Sequence, residues 1–263
     1  MTDDNLWAVR TNWPGVVGGV NRRGPHDASD PLSGLNISYL IGDAPERVAH
    51  TRSLLLGSLG AADWPVVRAQ QVHGTHVALV RRQGLADLMP CPSGVASPQT
   101  DGLVTDEPCI MLNLAFADCV PILLYCPRPL IAGLIHAGWR GTAGAIALEG
   151  VRAMESLGAV PADIRALIGP AICGKCYEVG PEVVLALRAL PAADQLLAGD
   201  PQTHVDLAEL NRLTLLAAGV PEESVTMSGI CTFCGDVDMF SYRKSGGGQG
   251  LHGAFMGICP DRE

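Results

Sequence analysis

Apolar residues recur along the chain at two spacings and divide it into elements. Over residues 44 to 60, APERVAHTRSLLLGSLG, the apolar positions Val48, Leu55 and Leu59 recur at helical spacing and Gly60 supplies a stop, which predicts a helix. Short apolar runs bounded by turn residues predict strands. WAVRT, GVVGGV and GLNISYL come first, then PVVRAQQV and THVALVRR, with His73 and Gly74 between them. From residue 101 onward DGLVTD, CIMLNLA, VPILLYC and LIAGLIHA follow in quick succession. Residues 142 to 157 read as a helix with Thr142 as N-cap and Gly158 as the stop. Strand IRALIG, helices GPEVVLALRAL and DLAELNRLTLLAAG, and strand SVTMSG come next, and the chain closes on a glycine-rich segment, YRKSGGGQGLHGAFMGI. Residues 83 to 100 are rich in Pro, Gly and Ser and predict an exposed loop. No internal repeat interrupts this order. The pattern predicts an α+β (mixed α/β) class, with helices covering apolar strands.

Composition narrows the class. With 263 residues, 48% of them hydrophobic and 17% charged, the chain is long and apolar enough to bury a core without disulfides. A net charge of −9 opposes a nucleic-acid partner, which needs a basic surface, but leaves room for a local basic pocket for a small anion. The opening MTDDNLW is acidic where a secretory signal would be basic, and the longest apolar stretch, PLIAGLIHAGW, is too short to span a bilayer. The expectation is a cytoplasmic protein without a membrane partner. Nine cysteines, an odd number, then read as free thiols or metal ligands.

Three segments place polar, metal-capable residues at the ends of apolar strands. QQVHGTHV offers His73, ADCVP offers Asp118 and Cys119, and LIHAGWRGT offers His136 followed by Trp139 and Arg140. Each histidine alone reads as a hydrogen-bonded core residue. Together, His73, Cys119 and His136 form a His/Cys/His set of the kind that holds a catalytic zinc with one position left for water. Gly74 beside His73 would allow close approach of a backbone or ligand. HAGWRGTAG reads as strand, glycine turn and helix start, so the helix N-terminus after Gly141, with Arg140, is a candidate anion site. Arg243 and Lys244 ahead of the glycine run form a second basic cluster, either a solvated loop or an anion-binding lid. Two C-x-x-C pairs, Cys173 with Cys176 and Cys231 with Cys234, could together make a four-cysteine structural zinc; the gap between them far exceeds a zinc-ribbon spacer of roughly 15–20 residues, which argues against a ribbon but leaves open that distant strands meet. Gly180 and Pro181 follow CGKC too closely for a thioredoxin-like pair.

In order along the chain, QVHG, DGLVTD, ADCVPILL, HAGWRGT, IGPAI with CYEVG, and FSYR resemble the motifs of the YfiH family, also called the multicopper polyphenol oxidase or laccase-domain family. The resemblance covers nearly the whole chain. It implies one domain over residues 1–263, with mixed β-sheets flanked by helices. It implies metal ligands at His73, Cys119 and His136 and a functional arginine at Arg243. It also implies phosphorolysis of adenosine, inosine, guanosine or methylthioadenosine, and adenosine deamination. The chain departs from the family where CGKC replaces a more usual Gly-Pro-Cys-Cys and where Gln249-Gly250 stands in place of Gly-Arg, which puts phosphate binding there in question.

A zinc on this set would lower the pKa of a water towards about 7. Asp118 is then the expected proton carrier for deamination, or else the acceptor that fixes a ligand imidazole. Arg140, Gly141 and Arg243 are the expected phosphate contacts. Three other readings stand beside this one. Copper on the same donors with phenol oxidation is one, although seven histidines with no His-x-His pair are few for a laccase. A cysteine hydrolase of the peptidoglycan-editing kind, with Cys119 as nucleophile and His136 as base, is another. The third is a non-catalytic zinc-binding protein.

Overall fold

The structure, a computed structural model, describes residues 5–92, 94–191, 193–197 and 203–261. Among these, thirteen strands form two mixed sheets. In chain order the strands are β1 (Trp7–Arg10), β2 (Val16–Asn21), β3 (Val66–Ala69), β4 (Val77–Leu79), β5 (Met89–Cys91), β6 (Gly94–Ser97) and β7 (Gly102–Thr105). They continue with β8 (Met111–Phe116), β9 (Val120–Pro127), β10 (Leu130–Ala137), β11 (Arg165–Ile168), β12 (Val225–Met227) and β13 (His252–Ile258). The helices are α1 (Pro45–Ser58), α2 (Trp139–Ala143), α3 (Ile146–Glu155), α4 (Pro181–Leu187), α5 (Ala193–Leu196), α6 (Leu207–Ala217) and α7 (Tyr242–Ser245). One sheet runs β1-β2-β13-β8-β3-β6-β5 and the other β12-β11-β9-β10-β7-β4.

Strand alternation explains the layers. On β9, Val120, Ile122, Leu124 and Cys126 pack into one core with Ile146 and Val151 of α3, Val184 of α4 and Leu210 of α6. Their neighbours Leu123 and Tyr125 face the other way, onto Leu112 and Leu114 of β8 and Met256 of β13. The far face of that second sheet carries Met111 and Phe255, which α1 covers with Leu55 and Leu56. The order is therefore helix, sheet, sheet, helices, and the period-2 strand pattern decides which layer each side chain enters. α6 is held at its start by Asp206, whose carboxylate accepts the Glu209 amide at 3.0 Å. Asp206→Ala is expected to lower unfolding stability by about 1 kcal/mol in a urea titration; a change near zero would deny the cap its role.

Several sequence expectations change. The exposed loop over 83–100 holds a 3₁₀ turn (Arg82–Asp87) and the antiparallel pair β5–β6, with β6 joined to β3 in parallel. The glycine-rich closing segment, given no element above, contains β13, in which every residue of LHGAFMGI after Leu251 is buried between β2 and β8. Its glycines sit where neighbours press close, since a Cβ on Gly257 would lie 2.7 Å from the Ile110 carbonyl. GLNISYL is not a strand. PVVRAQQV ends as a strand at Ala69 because the Gln71 side-chain amide takes over both hydrogen bonds of Ala115, at 2.8 and 2.9 Å. The helix expected over 142–157 starts at Trp139 and breaks at Gly144-Ala145, where Ala145 has φ 59. Thr142 is inside α2, not at a cap, and its hydroxyl accepts from Asn211 at 2.9 Å.

Candidate metal centre and cleft

Two crossovers between the sheets meet at one edge of the sandwich. The segment joining β3 to β4 passes from one sheet to the other and carries His73. The turn joining β8 to β9 makes a second crossing and carries Asp118 and Cys119. β10 ends between them with His136, whose parity points it into the layer between the sheets, with its ring 5.3 Å from that of Phe116. His73 (φ 60) and Asp118 (φ 84) both hold the left-handed backbone that non-glycine residues avoid. Such strain persists only where the surroundings enforce it.

Donor atoms of His73, Cys119 and His136 all lie within 4.8 Å of one another. The Cys119 thiol is hydrogen-bonded to both rings. The glycine that permits this approach is Gly138 rather than Gly74. A Cβ on Gly138 would sit 2.7 Å from the His73 ring and 3.2 Å from the Cys119 sulfur, whereas one on Gly74 would meet only ordinary contacts at 3.5 Å and beyond. Gly138→Ala is expected to cost about 1–3 kcal/mol by overpacking, read as a lower thermal midpoint together with weaker metal retention; an unchanged midpoint would refute the packing role.

The carboxylate that organises the centre is Asp101, at the head of the DGLVTD segment and without a role in the sequence expectations. It is fully buried just before β7. It accepts the amides of Val72, His73 and Gly74 at 3.1, 3.0 and 2.8 Å and His136 Nδ1 at 2.9 Å. One group thus pins the His73 loop and the His136 ring. With Nδ1–H donating to Asp101, Nε2 is the nitrogen left to ligate. Burial works to raise the Asp101 pKa, but the hydrogen bonds from His136 and Gly74 outweigh it and hold the carboxyl below its usual range. Burial likewise pushes the Cys119 thiol up, and the His136 imidazolium with the His73 hydrogen bond brings it down to about 6. His136 shows the reciprocal effect: burial lowers it, while the Cys119 thiolate and Asp101 raise it to about 9. A thiolate and two imidazoles oriented by a carboxylate fit zinc, or another cation that accepts nitrogen and sulfur.

The centre lies in a cleft of about 630 Å³ whose lining includes Arg68, Asp118, Trp139, Arg140, Tyr177 and Arg243. Asp118 is 8% exposed and accepts the Thr232 hydroxyl at 2.6 Å and the Arg243 amide at 2.7 Å. Fixing a ligand imidazole, its alternative expected role, belongs to Asp101. Arg243 donates to the Glu178 carbonyl at 2.7 Å and lies over the Tyr177 ring at 5.0 Å, so it is held against the cleft wall rather than free in a solvated loop. Arg140 lies over the Trp139 ring at 4.2 Å. Gly141 is the third residue of α2, in its first turn, and is buried, with a Cβ there 3.0 Å from the Gly74 carbonyl. It packs the helix onto the His73 loop and does not face the cleft.

The two C-x-x-C pairs also converge, through neighbouring strands rather than as a zinc ribbon. The four sulfurs lie within 4.8 Å of one another. β11 and β12 run parallel as neighbours, so the loops leaving their C-terminal ends emerge side by side despite the long intervening chain.

Among the described residues no helix is long and apolar enough to cross a membrane. Residues 17–259 match the family model described as multi-copper polyphenol oxidoreductase laccase. The chain is 37% identical over its whole length to a purine nucleoside phosphorylase of Deinococcus radiodurans, covering 97% of that protein. It is 36% identical to adenosine deaminase RL5 from an unknown prokaryotic organism, over 93% of this chain and 94% of that one. The crystal structure of YlmD from Geobacillus stearothermophilus superposes with a TM-score of 0.88 at 36% identity, covering 100% of this chain and 98% of that one. With its sequence matched nearly end to end and its fold shared, this chain belongs to the multi-copper polyphenol oxidoreductase laccase family.

Proposed function

We propose that the cleft is the active site of a zinc-dependent purine nucleoside enzyme. It would phosphorolyse adenosine, inosine, guanosine or methylthioadenosine and deaminate adenosine. The observation that carries this reading is the convergence of His73, Cys119 and His136 in a cleft walled by Arg140 and Arg243. Relatives named for both activities lend it support.

Zinc on these three donors would supply a Lewis acid and a water of lowered pKa. The rest of the work falls to the chain. Asp101 keeps the His136 ring oriented and the His73 loop closed. Asp118 takes the proton that water gives up on adding to purine C6, and passes it to the departing amino group. Adenosine and water thereby become inosine and ammonia. Its two oxygens are already steered by Thr232 and the Arg243 amide, which fixes the direction of that transfer. For phosphorolysis, Arg140 and Arg243 are the charged donors available to a phosphate entering at ribose C1′. Gln249 lines the same cleft and accepts from Ser245 at 2.8 Å.

A second reading has one specific observation in its favour. Cys119, His136 and Asp101 stand in the order nucleophile, base and orienting carboxylate that a cysteine hydrolase uses. His73 argues for the metal, because a thiol and its base need no third donor on the sulfur. The deciding experiment incubates adenosine and inosine with the purified protein, with and without phosphate, and separates the products by chromatography. Inosine from adenosine, and free base only when phosphate is present, are expected, both absent in Cys119→Ser. If no purine product exceeds the Cys119→Ser control, the nucleoside reading is wrong.

A further inference from the structure

The four-cysteine cluster lies outside the cleft, and the proposed chemistry makes no use of it. Cys173, Cys176 and Cys231 are half-buried or buried and Cys234 is exposed, and all four are free thiols. The Cys173 and Cys234 sulfurs are 4.0 Å apart. Four sulfurs at zinc–sulfur distances of about 2.3 Å in a tetrahedron are separated by roughly 3.8 Å. A disulfide would bring two of them to about 2.05 Å. The spacing is that of ligands around one small cation.

The local backbone is shaped for the same purpose. Amides of Cys173 and Cys234 point at the Cys231 sulfur from 3.3 and 3.5 Å, donors that would stabilise charge on a ligating thiolate. Gly235 closes the second pair: its amide donates to the Cys231 carbonyl at 3.0 Å, and a Cβ there would lie 2.5 Å from that oxygen. A side chain at 235 would open the turn that brings Cys234 back to Cys231. The Tyr177 and Cys176 amides bond the Cys173 carbonyl at 3.0 and 2.9 Å, making the first pair an equally tight loop.

We infer that Cys173, Cys176, Cys231 and Cys234 bind a second, structural zinc ion that clamps the wall of the cleft. Each loop it joins leads directly into that wall. Cys176 precedes Tyr177, whose ring lies under Arg243, and Cys231 precedes Thr232, whose hydroxyl holds Asp118. Among the described residues the two loops otherwise meet at the bridge Ala171–Cys231 with its adjoining backbone hydrogen bonds and through the Cys173 amide on the Cys231 sulfur, with the Ile172 amide on the Asp118 carbonyl at 3.0 Å. Ligation by four thiols, with loss of their protons, would convert this weak seam into a closed unit. Four thiolates leave no position for water, so the site supports structure rather than catalysis.

The test uses the full chain carrying Cys119→Ser, so that the first centre is removed, and counts zinc by elemental analysis after dialysis. One zinc ion per chain is expected, released only as a mercurial reagent consumes four thiols. Cobalt replacing it should show the strong sulfur-to-metal charge-transfer absorption of a tetrathiolate site. In the otherwise unaltered chain, Cys234→Ser should lower the zinc content by one ion and reduce the thermal midpoint. No zinc in Cys119→Ser with Cys173, Cys176, Cys231 and Cys234 titrating freely beside Cys91, Cys109, Cys126 and Cys259, or a disulfide among the first four, would overturn the inference. None of these readouts needs nucleoside turnover, so they stand or fall apart from the proposed activity. Cys119→Ser by itself supplies the count even if Cys234→Ser fails to fold.

Discussion

Asp101→Asn is expected to weaken zinc binding by about 10–100-fold, measured by competition with a coloured chelator. The carboxylate collects four donors: three amides of the His73 loop and the Nδ1–H of His136. An asparagine of the same shape keeps one acceptor oxygen and turns an NH₂ group towards donors that cannot use it. His136 then loses the partner that fixes its tautomer, and at least one buried amide is left unpaired at about 1–3 kcal/mol. Both losses should appear together, as weaker metal binding and a lower unfolding midpoint. Asp106→Asn is the control, because its ion pair with Arg81 is on the surface and contributes less than about 1 kcal/mol. Zinc affinity within twofold of the unaltered protein would remove Asp101 from the centre's support.

Asp101 also shows where sequence reading stops. His73, Cys119 and His136 could be grouped in advance because each interrupts an apolar strand end, and strand ends converge at sheet edges. The grouping depended on pattern, not on knowing which strands pair. Asp101 gave no such signal. It is an ordinary-looking Asp-Gly ahead of a strand, and its role depends on β7 lying between β10 and β4. The same limit left the four-cysteine cluster open as one possibility. Separation along the chain was the wrong measure, since parallel pairing of β11 with β12 cancels it. β13 was left without an element for a different reason. Its glycines mask the strand period, and they are there because neighbouring side chains and backbones, Trp64 among them, press too closely for side chains. Helix α1 and strands β7 to β11 were legible because their apolar runs are long enough to show a period.

Alkylation of Cys119 in metal-stripped protein is expected to have its pH midpoint at about 6 instead of the 9.0 of an ordinary thiol. The sign follows from the neighbours. Burial alone would raise the value, whereas the His136 imidazolium and the His73 hydrogen bond favour the thiolate more strongly. The thiolate therefore persists as pH falls from 9 and is lost only on passing through about 6. At pH 7 this gives about ninetyfold more thiolate than an ordinary thiol would have. Intrinsic nucleophilicity falls roughly twentyfold over the same shift, so the absolute rate rises only modestly and the midpoint is the reliable readout. Iodoacetamide labelling, located on the Cys119 peptide by mass spectrometry between pH 5 and 9, measures it. His136→Ala should move the midpoint upward, since it removes the imidazolium whose charge does most to favour the thiolate. Zinc added before the reagent should abolish labelling at every pH, because a ligated sulfur has its lone pair engaged and His136 gives up the proton that paired with it. That last arm separates the two readings of the cleft. Labelling that persists under saturating zinc would make Cys119 a nucleophile and not a ligand.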